Sequence, residues 1–122
     1  MEHATITSTT GEIVIPDSEE QCKLMYPPQQ LVPLGDFGRS AGYGCPVLMT
    51  TEAVRHLFGA EPQLPPLKLA ERLIGTLSDI REVSATRPAF DAFRIRKTDD
   101  EPELLVRQNL LAARPYTLIS LA

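Results

Sequence analysis

LKLAERLIGTLSDIREVSATRPAFDAFRIRK, residues 67–97, decides the fold, because its hydrophobic period changes part-way along. Leu69, Ala70, Leu73, Ile74, Leu77, Ile80 and Val83 recur at spacings of three and four. That spacing gathers them on one face of a helix starting after Pro66. Lys68, Glu71, Arg72, Asp79, Arg81 and Glu82 mark the other face. Gly75 is the weak point, since glycine costs a helix about 1 kcal/mol relative to alanine. Either close packing requires it or the helix tolerates it. From Phe90 the period is two: Phe93 and Ile95 alternate with Arg94 and Arg96.

Working outward, Thr98–Pro102 is a turn, and Leu104–Leu111 and Tyr116–Leu121 are two further strands split by Ala112–Pro115. Three strands with short turns predict an antiparallel meander. The last is apolar throughout, so it is expected to be internal or buried in an interface, because a free apolar edge aggregates. Upstream, Asp17 or Ser18 is the expected N-cap, with Gln21 at capping-box spacing from Ser18, and a short helix is predicted from about Ser18 to Met25. Pro27 and Pro28 stop it. Leu31–Leu34 is extended and Asp36–Ala41 is one helical turn ended by Gly42. Val47–Met49 is a short buried strand. Thr50 or Thr51 caps a helix over Glu52–Phe58, which ends at Gly59. Ala60–Pro66, with three prolines, is a stiff spacer. Thr5–Ile15, with Thr, Ile and Val flanking Gly11, is expected to be a short strand, a hairpin or a mobile arm, and residues 1–11 a flexible arm.

The expected fold class is therefore α+β. A C-terminal three-stranded antiparallel meander plus short strands packs against one long amphipathic helix and two or three short ones. The 122 residues fit a single domain, 1–122.

Composition narrows the function. The net charge of −4 argues against a partner among nucleic-acid polymers, whose backbone demands concentrated lysine and arginine. No apolar run reaches the 18 residues that would suggest a membrane span. The start MEHATITSTTG has no apolar stretch of secretory type. Cys22 and Cys45 stand in no CxxC and beside no paired histidine, which argues against zinc and for reduced thiols in a cytoplasmic protein. No metal and no cofactor are expected.

Catalytic groups are sparse. An enzyme would need Cys45 and His56 to converge, since a thiol needs a nearby base; His3 lies in the N-terminal segment. Gly35, Gly38, Gly42 and Gly44 match neither GxGxxG nor GxxxxGK[ST]. They are expected to serve tight turns; were this a ligand loop, Arg39 would be its charged contact. Glu19–Glu20 fits a helix first turn, and Asp99–Glu101 a solvated hairpin tip. Arginine outnumbers lysine nine to three. Alternation puts Arg94 and Arg96 on one sheet face with Arg107 on the neighbouring strand, a set suited to an anion. Asn109 and Tyr116 add directional hydrogen bonds to it. The opposing reading is a solvated face neutralised by Asp99, Asp100, Glu101 and Glu103.

LVPLGDFGRSAGYGCPVLMTTEAV, residues 31–54, resembles the central motif of an uncharacterised family of small bacterial, plasmid and phage proteins. The matching residues are Leu31, Val32, Arg39, Ala41, Gly42, Tyr43, Pro46, Val47, Thr50 and Val54. The closing strands also resemble the family's, and together these stretches cover about half the chain. Two departures stand out. Ala53–Val54 replaces the aromatic usual in the threonine-started helix, and the proline-rich loop before the long helix is unusual. The resemblance suggests kinship to phage proteins that sequester cyclic-nucleotide signals of bacterial immunity, which are small non-catalytic oligomers. It implies a mobile-element binding protein and homo-oligomer that takes a small anionic nucleotide through arginine and aromatic side chains; the candidates from the residue reading are Arg39, Arg94, Arg96, Arg107, Asn109 and Tyr116. The alternative is a protein-interaction module that modulates a host enzyme through an apolar patch or a sheet edge.

Overall fold

The computed structural model describes residues 3–8, 11–58, 66–96 and 98–122, and for 3–8, 11–14, 28 and 66 the backbone alone. The element order is β1 (His3–Ser8), β2 (Gly11–Pro16), α1 (Glu19–Met25), a 3₁₀ turn (Pro28–Gln30), β3 (Leu31–Pro33) and α2 (Gly35–Ser40). It continues with β4 (Val47–Thr50), α3 (Thr51–Phe58), α4 (Pro66–Ser84), β5 (Phe90–Ile95), β6 (Leu104–Asn109) and β7 (Tyr116–Leu121). The α+β class and the β5–β6–β7 meander stand as the hydrophobic periods dictate. Of the readings of the N-terminal segment, the hairpin is the one adopted: β1 and β2 pair antiparallel from His3 opposite Pro16 to Ser8 opposite Gly11.

Five strands form a mixed sheet in the order β3-β4-β7-β6-β5. β7 lies between β6, its antiparallel partner, and β4, to which it runs parallel. The apolar C-terminal strand is thus internal, and its hydrophobicity is used up inside the chain. The sheet edges are β3 and β5.

Alternation then sorts the side chains by face. Phe93, Val106, Ile119 and Met49 share one face with Leu104 and Val47. They pack under Leu73, Leu77 and Ile80 of α4, Ala53 of α3, and Leu34, Ala41 and Tyr43 around α2. The opposite face carries Leu48, Leu118 and Tyr116, covered by Cys22 of α1 and Ile15 of β2. Losing any one of the large core side chains to alanine costs about 2–5 kcal/mol.

Local signals act where the sequence puts them. Ser18 Oγ accepts from the Gln21 N–H at 3.2 Å, and Thr50 Oγ1 from the Ala53 N–H at 3.2 Å, so these two residues cap α1 and α3. A Cβ on Gly75 would meet nothing within 4 Å. No close packing requires that glycine, and α4 simply tolerates it. Gly59 and most of the proline-rich spacer lie outside the described residues. β6 stops at Asn109, two residues short of the predicted strand, because Leu110 and Leu111 turn outward and are exposed. No helix among the described residues is long and apolar enough to cross a membrane.

Candidate functional site

The glycine stretch 35–44 builds the most distinctive local geometry. α2 ends at Ser40, with Ala41 as its cap. Gly42 follows at φ +95°, a conformation that side chains resist. The Gly42 N–H donates to the Arg39 carbonyl at 3.0 Å and the Tyr43 N–H to the Gly38 carbonyl at 2.9 Å. This pair of bonds is a Schellman cap, which reverses the chain sharply. Gly38 makes the reversal fit, since a Cβ there would lie 3.1 Å from Val47 Cγ2. The turn drives Tyr43 inward until it is nine-tenths buried.

A cavity of about 400 Å³ opens beside this turn. Gly42, Tyr43, Gly44 and Cys45 form one wall, Arg81, Ser84 and Ala85 at the end of α4 another, and Gln108, Leu110, Pro115 and Thr117 of the sheet and its β6–β7 turn the third. Its size falls within the range of small-molecule sites, and its surface is mostly apolar, as theirs is.

The polar groups of this cavity are unusual. Tyr43 Oη and Ser84 Oγ are both closed to solvent, and neither has a hydrogen-bond partner among the described residues. Ser84 is close enough that a long hydrogen bond from its hydroxyl favours the Tyr43 phenolate, although the pair does not reach full hydrogen-bonding geometry. Burial nevertheless dominates and pushes the Tyr43 phenol well above its ordinary pKa, so it is a neutral donor at physiological pH. An unpaired buried hydroxyl costs about 1–3 kcal/mol, which makes two of them at one cavity a feature that needs a reason. The Arg81 guanidinium lies over Gly42, where a Cβ would approach its Nε to 3.2 Å. Arg81 has no ion pair with a carboxylate among the described residues. Gln108 is held by its amide nitrogen, which donates to the Pro88 carbonyl at 2.6 Å. The amide oxygen is left as an acceptor.

Cys45 contributes no nucleophile. Burial raises its thiol pKa, and Thr117 Oγ1, 3.6 Å from its sulfur, is its polar neighbour. His56 is exposed on α3, which departs from the far end of β4, and does not line this cavity. Cys22 is fully buried on the inner face of α1, and its thiol is pushed up to about 12 by burial. Among the described residues no three histidine, cysteine, aspartate or glutamate side chains gather as a metal site would require.

The residues singled out from sequence are dispersed. The register sets Ala92 opposite Arg107 and Arg94 opposite Leu105, so Arg94 and Arg107 do share a face. Arg96 lies beyond the end of β5 and is exposed. Arg94 faces Glu103 at 3.7 Å, the neutralising arrangement weighed above. Arg107 reaches the Tyr26 hydroxyl at 3.4 Å, while its buried Nε is unpartnered. Asn109 Nδ2 donates to the Pro16 carbonyl at 3.3 Å and the Tyr116 hydroxyl donates to the same oxygen. These two donors hold down the end of β2. Arg39 is exposed on α2, in the helical layer across the sheet from Arg107, and is paired with Asp36. The cation at the glycine turn is Arg81, sent there by α4.

A second cleft, between the ends of β4 and β7 and the start of α3, is slightly larger, and its two threonines are already engaged by the fold. Thr51 Oγ1 donates to the Gln29 carbonyl at 3.0 Å, Thr50 caps α3, and Arg55 shares the cleft with Glu52.

No protein-family model matches the chain, nor does any curated protein or solved structure. The functional argument therefore rests on the geometry.

Proposed function

We propose that this chain is a non-enzymatic binding protein that captures a small anionic ligand of nucleotide type, as a mobile-element accessory protein would. One observation carries the reading: among the described residues, a mostly apolar cavity holds one guanidinium without a carboxylate partner and two buried hydroxyls without full hydrogen bonds. Native cores satisfy their buried polar groups, so donors left open around a cavity mark a place where a ligand supplies the acceptor. The reading moves the binding site from the arginines of the sheet face to Arg81, Tyr43 and Ser84. Catalysis has no support in the arrangement, because the cavity holds no general base beside Cys45.

The test is a thermal shift of the purified protein against cyclic and linear nucleotides. A ligand at a hundredfold excess over its Kd stabilises by about 2.7 kcal/mol, a rise in Tm on the order of 10 °C. Arg81→Ala is expected to fold normally, since Arg81 is exposed and has no carboxylate partner among the described residues, and to lose most of that rise. A rise that survives in Arg81→Ala refutes the location.

A second reading, a protein-interaction module, draws on Leu110 and Leu111, which are 43% and 74% exposed at the β6–β7 turn beside the cavity mouth. Under that reading Leu111→Ser abolishes capture of a partner while nucleotides give no shift.

A further inference from the structure

We infer that the cavity takes a monoanion carried on a single flat apolar body, either a phosphodiester or a ring carboxylate, rather than a dianionic phosphomonoester or a doubly charged dinucleotide. This rests on the ligand-capture reading and specifies its ligand.

The charge balance is the first reason. Arg81 is the one cation among the cavity's lining residues, and no lysine joins it. The cavity also sits at the C-terminal end of α4, where the helix dipole adds a fraction of a negative charge. The turn after α4 moderates this, since the N–H groups of Ala85, Thr86 and Arg87 cap the carbonyls of Arg81, Val83 and Ser84. One guanidinium against that background balances one negative charge, and a second would be desolvated without a partner.

Shape and hydrogen bonding are the second and third reasons. The apolar surface comes from Ala85, Leu110 and Pro115, facing a wall in which Gly42 and Gly44 present bare backbone. A volume of about 400 Å³ lies near the lower end of the range for ligand sites, room for one ring system with its charged group. Tyr43 and Ser84 line the cavity, and their hydroxyls, lying just behind its surface, supply two donors for the anion; Gln108 offers an acceptor to the ring. Both hydroxyls are closed to solvent, so contact requires the wall to give slightly. The exposed Arg81 chain, paired with no carboxylate among the described residues, is the part able to do so.

Gly44 supplies a clean test. A Cβ there meets nothing within 4 Å and its φ is not positive, so a side chain at this position, on the cavity wall, is accommodated without straining the fold. Isothermal titration would compare 3′,5′-cyclic AMP, 1-naphthoate, 5′-AMP, adenosine and cyclic di-AMP on the native protein, Arg81→Ala and Gly44→Leu. The expected result is saturable binding of cyclic AMP or of naphthoate, the better of the two telling phosphodiester from carboxylate. Adenosine binds at least tenfold more weakly, Arg81→Ala loses roughly 10- to 100-fold, and Gly44→Leu abolishes binding at unchanged Tm. Tighter binding of 5′-AMP or cyclic di-AMP that Gly44→Leu abolishes overturns the monoanion class and leaves ligand capture standing. Adenosine binding as tightly as the anions overturns the charge argument. Binding indifferent to Gly44→Leu places the ligand elsewhere and overturns the proposal. No binding by any of the five overturns both this inference and the capture reading.

Discussion

Tyr116 and Tyr43 occupy opposite sides of one sheet and are used in opposite ways. Both are buried and both phenols are pushed far above their ordinary pKa by that burial. Tyr116, under α1, donates to the Pro16 carbonyl, which also receives the amide of Asn109. Two strands and a hairpin end are knotted together there. Tyr43, behind the glycine turn, has a hydroxyl with no full hydrogen bond among the described residues, close to the Ser84 hydroxyl in the same condition. On the first side the tyrosine hydroxyl is engaged by the fold, although Arg107 Nε on that face is itself buried without a partner among the described residues; on the second side the tyrosine and serine hydroxyls border a cavity. Aromatic content alone does not separate them; the fate of the hydroxyl does.

The largest expected effect falls on the satisfied side. Tyr116→Ala should cost about 3–5 kcal/mol, because it empties a fully buried site and releases the end of β2. Urea denaturation measures it. Tyr116→Phe should cost only about 1 kcal/mol, since Asn109 still serves Pro16. A near-zero cost for the alanine variant would show that the α1 side is not a packed core, and the contrast with Tyr43 would collapse.

Gly42→Ala comes next and sharpens the contrast from the cavity side. Alanine at φ +95° is strained, and its Cβ would press on the Arg81 guanidinium. A loss of about 1–2 kcal/mol is expected, with weaker anion binding from a displaced arginine. Gly44→Ala, at an open position with no positive φ, should leave stability nearly unchanged in the same denaturation experiment.

How much of this was legible beforehand differs between the two sides for a physical reason. The helix and the meander announce themselves because period 3.6 and period 2 are local properties of Leu69–Val83 and Phe90–Leu121. Gly42 is legible as a helix stop. What is not local is which side chain meets the turn from elsewhere. Arg39 is three residues from Gly42, yet it points to Asp36 and solvent; Arg81 is thirty-nine residues away and lies over the glycine. That convergence is set by the packing of α4 on α2, which no spacing encodes. Likewise Asn109 and Tyr116 look like ligand donors on paper, because sequence does not reveal that the Pro16 carbonyl occupies them. Tyr43 was visible only as the aromatic of an Ala-Gly-aromatic turn, and Ser84 carried no signal beyond a helix end.

The most direct test of the central claim is the stability and anion affinity of Tyr43→Phe, measured together. If the hydroxyl is held unpartnered for a ligand, its removal leaves stability unchanged or raises it by up to about 1 kcal/mol, and weakens binding by roughly tenfold. A loss of stability of 1 kcal/mol or more with unchanged affinity would contradict the account, since the Tyr43 hydroxyl would then be serving the fold as the Tyr116 hydroxyl does.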